Sequence, residues 1–360
     1  MTPLLDAAHL PYPHTNGFHH GGERLVLARY SPAVGGTGLS SVRWRGPTTD
    51  ERPLCELPPS TPGPGGPVWP DVALAAERAA FTWNGTLYVL DLESGTLERL
   101  YAAADGHTLQ DLCSITAEGD RVVVMEHPLH QRVPVRCLEV SLTGQVRQLF
   151  ATGWFANHPC HSPHDQSWLA YSHEGPACDV RDRVWAWHPD HAPDGACVYD
   201  QGPLAVGHER WMFHDLGAVV CAYGVSEAGP RGLYMVHPDG RGARLVSGGE
   251  RDWHCDISRD GRWAVVDTTG PHDAPGRGWD NAGHTSDVLL VEVATGTRTV
   301  LARTGADSHP RHPHPVFTPD GTSVLYNAGD PATGAVAVAV VPLPSTGRVP
   351  TARTTGSGVL

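Results

Sequence analysis

The sequence predicts an all-β fold, a seven-bladed β-propeller, on three observations. A strand–turn–strand unit recurs seven times in degenerate form, several copies are followed by a second hairpin, and 41 Gly and 32 Pro in 360 residues supply the turns that many short strands need. The clearest copies are HCDISRDGRWAVVDT (254–268), HPVFTPDGTSVLYNA (314–328) and HPCHSPHDQSWLAYS (158–172). Weaker ones are 14–28, 79–91, 113–126 and 208–223. Each pairs a short apolar run with a polar turn and a second apolar run, which is the hairpin signature.

The returning hairpins are read from period-two alternation around a Gly turn. They fall at 87–101, 135–150, 231–247 and 287–302, the last turning at Ala294–Gly296. Two hairpins per unit make a four-stranded blade. No run has a helical period, and no G-x-G-x-x-G follows a strand, so Rossmann and α/β-barrel folds are excluded. The Pro/Gly-rich stretch 46–70 reads as a loop or an irregular blade edge. Segments 173–183 and 269–286 read as insertions between strands, which on a propeller rim build ligand sites. The expectation is one propeller domain over 1–360, with an insertion around 46–70.

Composition narrows the function. The net charge of −13 and the absence of a Lys/Arg block argue against a nucleic-acid partner. Eight Cys occur without a C-x-x-C, so they read as buried small hydrophobes rather than a thiolate metal site. No signal peptide and no apolar run long enough to span a membrane is visible, which makes a cytoplasmic protein without a membrane partner the expectation. The oligomeric state is left open.

Histidine carries the chemistry, with 22 copies. His158, His161, His208, His254, His312 and His314 all stand at or just before the first strand of a unit. In a propeller that strand lines the central channel, so equivalent positions converge on one axis. The densest cluster is SHPRHPHP (308–315). His312 and His314 alternate by two and face one side of an extended strand, with His309 just upstream. The prolines stiffen the segment and bar a helix. Such imidazoles suit a divalent ion, and His254 completes the set. The bland alternative is a proline-stiffened surface loop with incidental histidines. His173, Glu174 and Arg183 belong to the charged stretch SHEGPACDVRDRVWAW (172–187). That stretch reads either as a solvated rim or as an Arg paired with a carboxylate.

The stretches HPCHSPHDQSWLAYSHEGP (158–176), RVWAW (183–187), GHERW (207–211), WHCDISRDGRWAVVDT (253–268) and HPHPVFTPDG (312–321) together resemble the oligogalacturonate lyases, over about residues 155–325. The resemblance implies a cytoplasmic enzyme of pectin breakdown that cleaves a small acidic oligosaccharide by β-elimination, with a divalent cation, manganese, on the uronate carboxylate. It further implies that His208 is the base that takes the C5 proton and that His254, His312 and His314 are metal ligands. His309 stands where the family has a glutamine ligand. An all-histidine set would move preference towards Zn, Ni or Fe. Arg183 matches the arginine near the carboxylate or the departing oxygen. Arg210 replaces an aromatic residue beside the base and joins His173 and Glu174 as candidate substrate-binding groups. Three alternatives stay open: a lyase for another uronide or acidic sugar, a non-enzymatic binding propeller, and a peptidase-type propeller. The last would need a hydrolase domain with G-x-S-x-G, which is missing.

Overall fold

The protein is described by a computed structural model over residues 3–45, 50–60 and 65–344. It is an all-β propeller. Among the described residues the only helical element is one 3-10 turn, His20–Gly22, and no helix is long and apolar enough to cross a membrane.

Strands pair antiparallel into six sheets. The first holds Ala8–His9, Phe18–His19, Arg24–Ser31, Gly35–Arg43 and Asp50–Glu56. The second runs Asp71–Val72, Arg78–Trp83, Thr86–Asp91, Leu97–Ala102, and the third His107–Ile115, Arg121–Pro128, Val135–Ser141, Val146–Thr152. The fourth is Ala156–His161, Leu169–His173, Val184–His188, Ala192–Cys197. The fifth is Val206–Trp211, Ala218–Ala222, Gly232–His237, Gly242–Gly248. The sixth has eight strands instead of the four expected of a blade. Its two halves are Asp252–Ile257 through Arg298–Gly305, and Val316–Phe317, Ser323–Asp330 and Ala335–Pro342 with the N-terminal strand Pro3–Asp6. A single residue pair, Gly305 opposite Gly329, joins the halves. A Cβ on Gly305 would lie 2.4 Å from the Gly329 carbonyl oxygen, so only glycine allows the contact.

Ring closure mixes the two termini, because Pro3–Asp6 pairs with Ala335–Pro342. The core lies between successive sheets rather than in one centre. Val219, Cys221, Leu233 and Met235 of the fifth sheet pack on Cys255, Ile257, Ala264, Val266 and Leu289 of the sixth. Leu25, Leu27 and Val42 of the first pack on Val316, Leu325 and Val338 of the last, which closes the ring. Middle strands are buried on both faces and read as continuous apolar runs, such as Val122–Met125. Outer strands such as Val146–Thr152 are largely exposed.

Three expectations are corrected. The unit at 79–91 is the middle hairpin of its sheet, because the innermost strand is the two-residue Asp71–Val72. Within 46–70, Asp50–Glu56 is an outer strand, while 46–49 and 61–64 lie outside the described residues. Of the cysteines, all free, Cys178 and Cys197 are exposed, Cys55 is half-buried, and the other five are buried.

Candidate metal centre and its flanking base

The innermost strands carry β-bulges at one structural level. Register shifts occur between Asn157 and Cys160, Gly207 and Arg210, and Asp252 and Cys255. His158, His208 and His254 sit in these three bulges, and His314 precedes the short innermost strand Val316–Phe317. A bulge re-aims the side chain it carries. His158, His208 and His314 adopt left-handed φ values of 57°, 54° and 46°, a conformation costly for a residue with a Cβ and held only where the surroundings enforce it.

His254, His309, His312 and His314 come together, each offering a ring nitrogen within 4.8 Å of the others. His309 is exposed at the mouth and the other three are buried. Asp267 organises two of them. It accepts the Nδ1–H of His254 at 2.9 Å and the backbone N–H groups of His254 at 2.7 Å and His314 at 3.1 Å. That leaves His254 Nε2 as a lone pair, as second-shell carboxylates do for ligating histidines. His312 Nε2–H donates to the Asp307 carbonyl at 3.3 Å, leaving Nδ1 free. His254 Nε2, His312 Nδ1 and both nitrogens of His314 are buried and make no hydrogen bond among the described residues. Each such group costs about 1–3 kcal/mol unmet. With the His309 ring, one nitrogen from each of these imidazoles falls within 4.8 Å of the others, an arrangement that fits a cation. Desolvation lowers the pKa of all four rings; for His254, His309 and His314 the neighbouring imidazoles add to it, whereas for His312 the contacts with Asp307 oppose it. Neutral rings are what metal ligation needs.

His208 stands beside this group, its ring 4.0 Å from that of His254. Its Nδ1 lies 2.7 Å from the Trp253 carbonyl and 2.8 Å from the Tyr223 hydroxyl. The carbonyl can only accept, so Nδ1 carries the proton and Nε2 the lone pair. Burial, then the Arg183 charge, hold its pKa well below 6.5.

Across the channel, Arg183 is buried and paired with Glu174 at 2.7 Å and Glu209 at 3.7 Å. Burial opposes the Glu209 charge, yet Arg183 and His158 keep that carboxyl well below its usual range, and Ser172 donates to it. Tyr12, 6% exposed, bridges the two groups, its ring 5.1 Å from His158 and 5.4 Å from His314.

The structure therefore gathers His254, His309, His312, His314 and His208, with Arg183 and Glu174 on the facing wall. It does not bring in His173, which donates to Asp182 at 2.7 Å and lies 4.4 Å from the Trp154 ring. Nor does it bring in Arg210, which pairs with Asp256 at 3.0 Å and donates to the Thr15 carbonyl. His161 contacts Ser114. Sequence reasoning missed Tyr12, Tyr223, Glu209, Asp267 and Trp69, whose ring lies 5.6 Å from that of His309 and 5.7 Å from that of His314. Glu209 and Asp267 had a signal, their places inside GHERW and WHCDISRDGRWAVVDT. A second acidic and histidine group, His272, Asp273 and Asp287, is consumed internally, because Arg303 bonds both Asp287 oxygens and Asp273.

No family model matches the chain. An oligogalacturonate lyase of Dickeya dadantii is 24% identical over 225 residues, covering 58% of this chain and 55% of that protein. An oligogalacturonide lyase of Pectobacterium atrosepticum is 25% identical over 228 residues, with the same coverage. A solved structure described as oligogalacturonate lyase in complex with manganese superposes with a TM-score of 0.76 over 95% of this chain and 92% of that one, at 19% identity. The chain is similar to the oligogalacturonate lyases in both sequence and fold. The sequence match spans just over half the length of the curated oligogalacturonate lyases, whereas the likeness in fold runs almost end to end. An oligogalacturonate lyase of Vibrio parahaemolyticus superposes equally well.

Proposed function

We propose that this protein is a metal-dependent lyase that cleaves short oligogalacturonates by β-elimination, on a single propeller of seven blades whose last two share one sheet. The observation that carries the reading is the pairing of two kinds of histidine. Four imidazoles converge, three of them with unmet buried nitrogens, and a fifth beside them has its Nδ1 capped and its Nε2 free.

His254, His309, His312 and His314 would hold the ion, manganese by likeness and Zn, Ni or Fe by the all-nitrogen donor set. When bound, a divalent ion on the uronate carboxylate stabilises the negative charge that builds as the C5 proton leaves. His208 is the base. Its Nε2 takes the C5 proton, the C5–H pair becomes the C4–C5 double bond, and the bond from C4 to the bridging oxygen breaks. His208 is not a ligand in this scheme, so its lone pair stays available. Tyr223 and the Trp253 carbonyl fix its tautomer and aim. Arg183 supplies positive charge on the facing wall, where a substrate carboxylate or the departing oxygen competes with Glu174 for its Nη2. Tyr12 and Trp69 wall the site and exclude water.

Substitution of His208 by Ala tests the division of labour. Turnover of digalacturonate is lost while bound metal per chain is unchanged. Surviving turnover would require another base.

A further inference from the structure

The hairpin between Trp263–Thr268 and Thr285–Glu292 is interrupted by a long segment, residues 269–284, that reaches the imidazole group through Trp279. Arg251, 3% exposed, gathers its backbone. The guanidinium donates to the carbonyls of Thr269 at 2.6 Å, Gly278 at 2.8 Å, Pro275 at 2.6 Å and Asp280. Thr269 adds a bond to the Gly278 carbonyl at 2.8 Å. A buried charge satisfied by backbone at four points fixes the conformation of this segment.

What the segment presents is Trp279. Its large ring is 38% exposed, although indole is normally covered. It stacks beside His312 at 5.9 Å between centroids and 29° between planes. His312 in turn lies 5.3 Å from His254 and 4.7 Å from His309. The indole therefore continues the imidazole group outward by one ring. Beside it opens a cleft of about 290 Å³, lined by Trp279, Ala282, Gly283, His284 and Asp307. Its walls are part apolar and part polar, and Asp307 is already neutralised by Arg311 at 2.6 Å.

We propose that Trp279 is the platform for the sugar residue adjoining the one whose carboxylate reaches the imidazoles, and thus sets the requirement for an oligosaccharide over a monosaccharide. This rests on the uronide reading above. In a galacto-configured pyranose the C3, C4 and C5 hydrogens share one face, an apolar patch that packs on an aromatic face while hydroxyls point to the polar rim. The cleft is at or below the ~300 Å³ lower end for drug-sized ligands, a size suited to one sugar ring. The Arg251 clamp holds the indole in place before binding, so little ordering is lost on association.

The test is titration calorimetry with metal-loaded His208→Ala protein, which cannot consume its ligand, with and without Trp279→Ala or Trp279→Phe. Expected are a loss of about tenfold in digalacturonate affinity for Trp279→Ala, monogalacturonate affinity held within about twofold, and recovery to within about threefold for Trp279→Phe. Unchanged digalacturonate affinity overturns the proposal. So does an equal loss of both sugars together with metal, which would make Trp279 a prop for the imidazoles. Metal-loaded protein that binds neither sugar, with Trp279 intact, overturns the uronide reading itself and the subsite with it.

Discussion

The rings of His208 and His254 lie 4.0 Å apart, yet their Nδ1 protons are committed to different partners, the Trp253 carbonyl for one and the Asp267 carboxylate for the other. One face of the channel thereby presents two Nε2 lone pairs side by side. Only His254 belongs to the converging group of four. In the proposed scheme the separation of base from ligand follows from position, His254 lying within the group of four and His208 beside it.

The pH profile tests this. Burial and Arg183 place the His208 pKa well below 6.5. A base must be unprotonated, so the acid limb of kcat/KM falls below pH 6.5 and activity is flat above it. A limb centred at pH 7 or higher, measured with metal saturating throughout, would contradict the assignment.

The ligand group is tested through Asp267. Replacing it by Asn keeps the shape but weakens the acceptor that orients His254 and the His314 backbone. Metal affinity is expected to fall by about 10–100-fold. Substitution of His312 or His314 by Ala lowers bound metal first, and activity with it. Metal analysis at equal protein concentration reads both, and unchanged stoichiometry in the two histidine variants would remove the site.

The hairpins were legible in the sequence because strand alternation and Gly turns are local signals. The innermost strand of the second sheet was not. Asp71–Val72 is two residues long and follows a Pro/Gly stretch, so it has no period to detect. His254, His312 and His314 were legible as a group because each repeats at one point of the unit. Tyr12 and Trp69 were not, because they reach the channel from irregular segments; Tyr223 was not, because it stands just past the end of Ala218–Ala222, where strand alternation no longer says which way a side chain faces. Arg210 misled for a related reason. The bulge at Gly207–Arg210 lies between the two residues, so His208 and Arg210 do not share a face as simple alternation requires. Arg210 pairs with Asp256 instead.

Arg183 has a structural role that a variant must reveal. It neutralises Glu174 and the buried Glu209. Arg183→Ala leaves Glu209 with only His158 and Ser172 and is expected to cost about 3–5 kcal/mol of stability. Arg183→Lys retains the charge and costs less. Urea unfolding of both variants measures the difference, and equal stability of Arg183→Ala and wild type would contradict the network.

Acid sensitivity follows from buried histidine. Desolvation lowers His9 and His161 from 6.5 to about 4. Each binds a proton more readily unfolded than folded, so stability is full above pH 6.5 and drains as pH falls towards 4. Asp71, raised to about 6 by burial, acts in the opposite sense below pH 6. Asp111, Asp252, Asp256 and Asp267 are also raised by burial and act with Asp71, but His14, His208, His254, His309, His312 and His314 shift the same way as His9 and His161 and outnumber them, so the net slope is loss on acidification. Urea midpoints of metal-free protein at pH 7.0 and about 5 check this, and a higher midpoint at the acid pH would contradict it.

The most direct test is cleavage of digalacturonate by metal-stripped protein as Mn, Zn, Ni or Fe is returned, followed by product chromatography and the absorbance of the new C4–C5 double bond. No cleavage is expected without metal, and with metal an unsaturated uronate product appears. Absence of cleavage in protein shown to have rebound metal at one ion per site would contradict the assignment as an oligogalacturonate lyase.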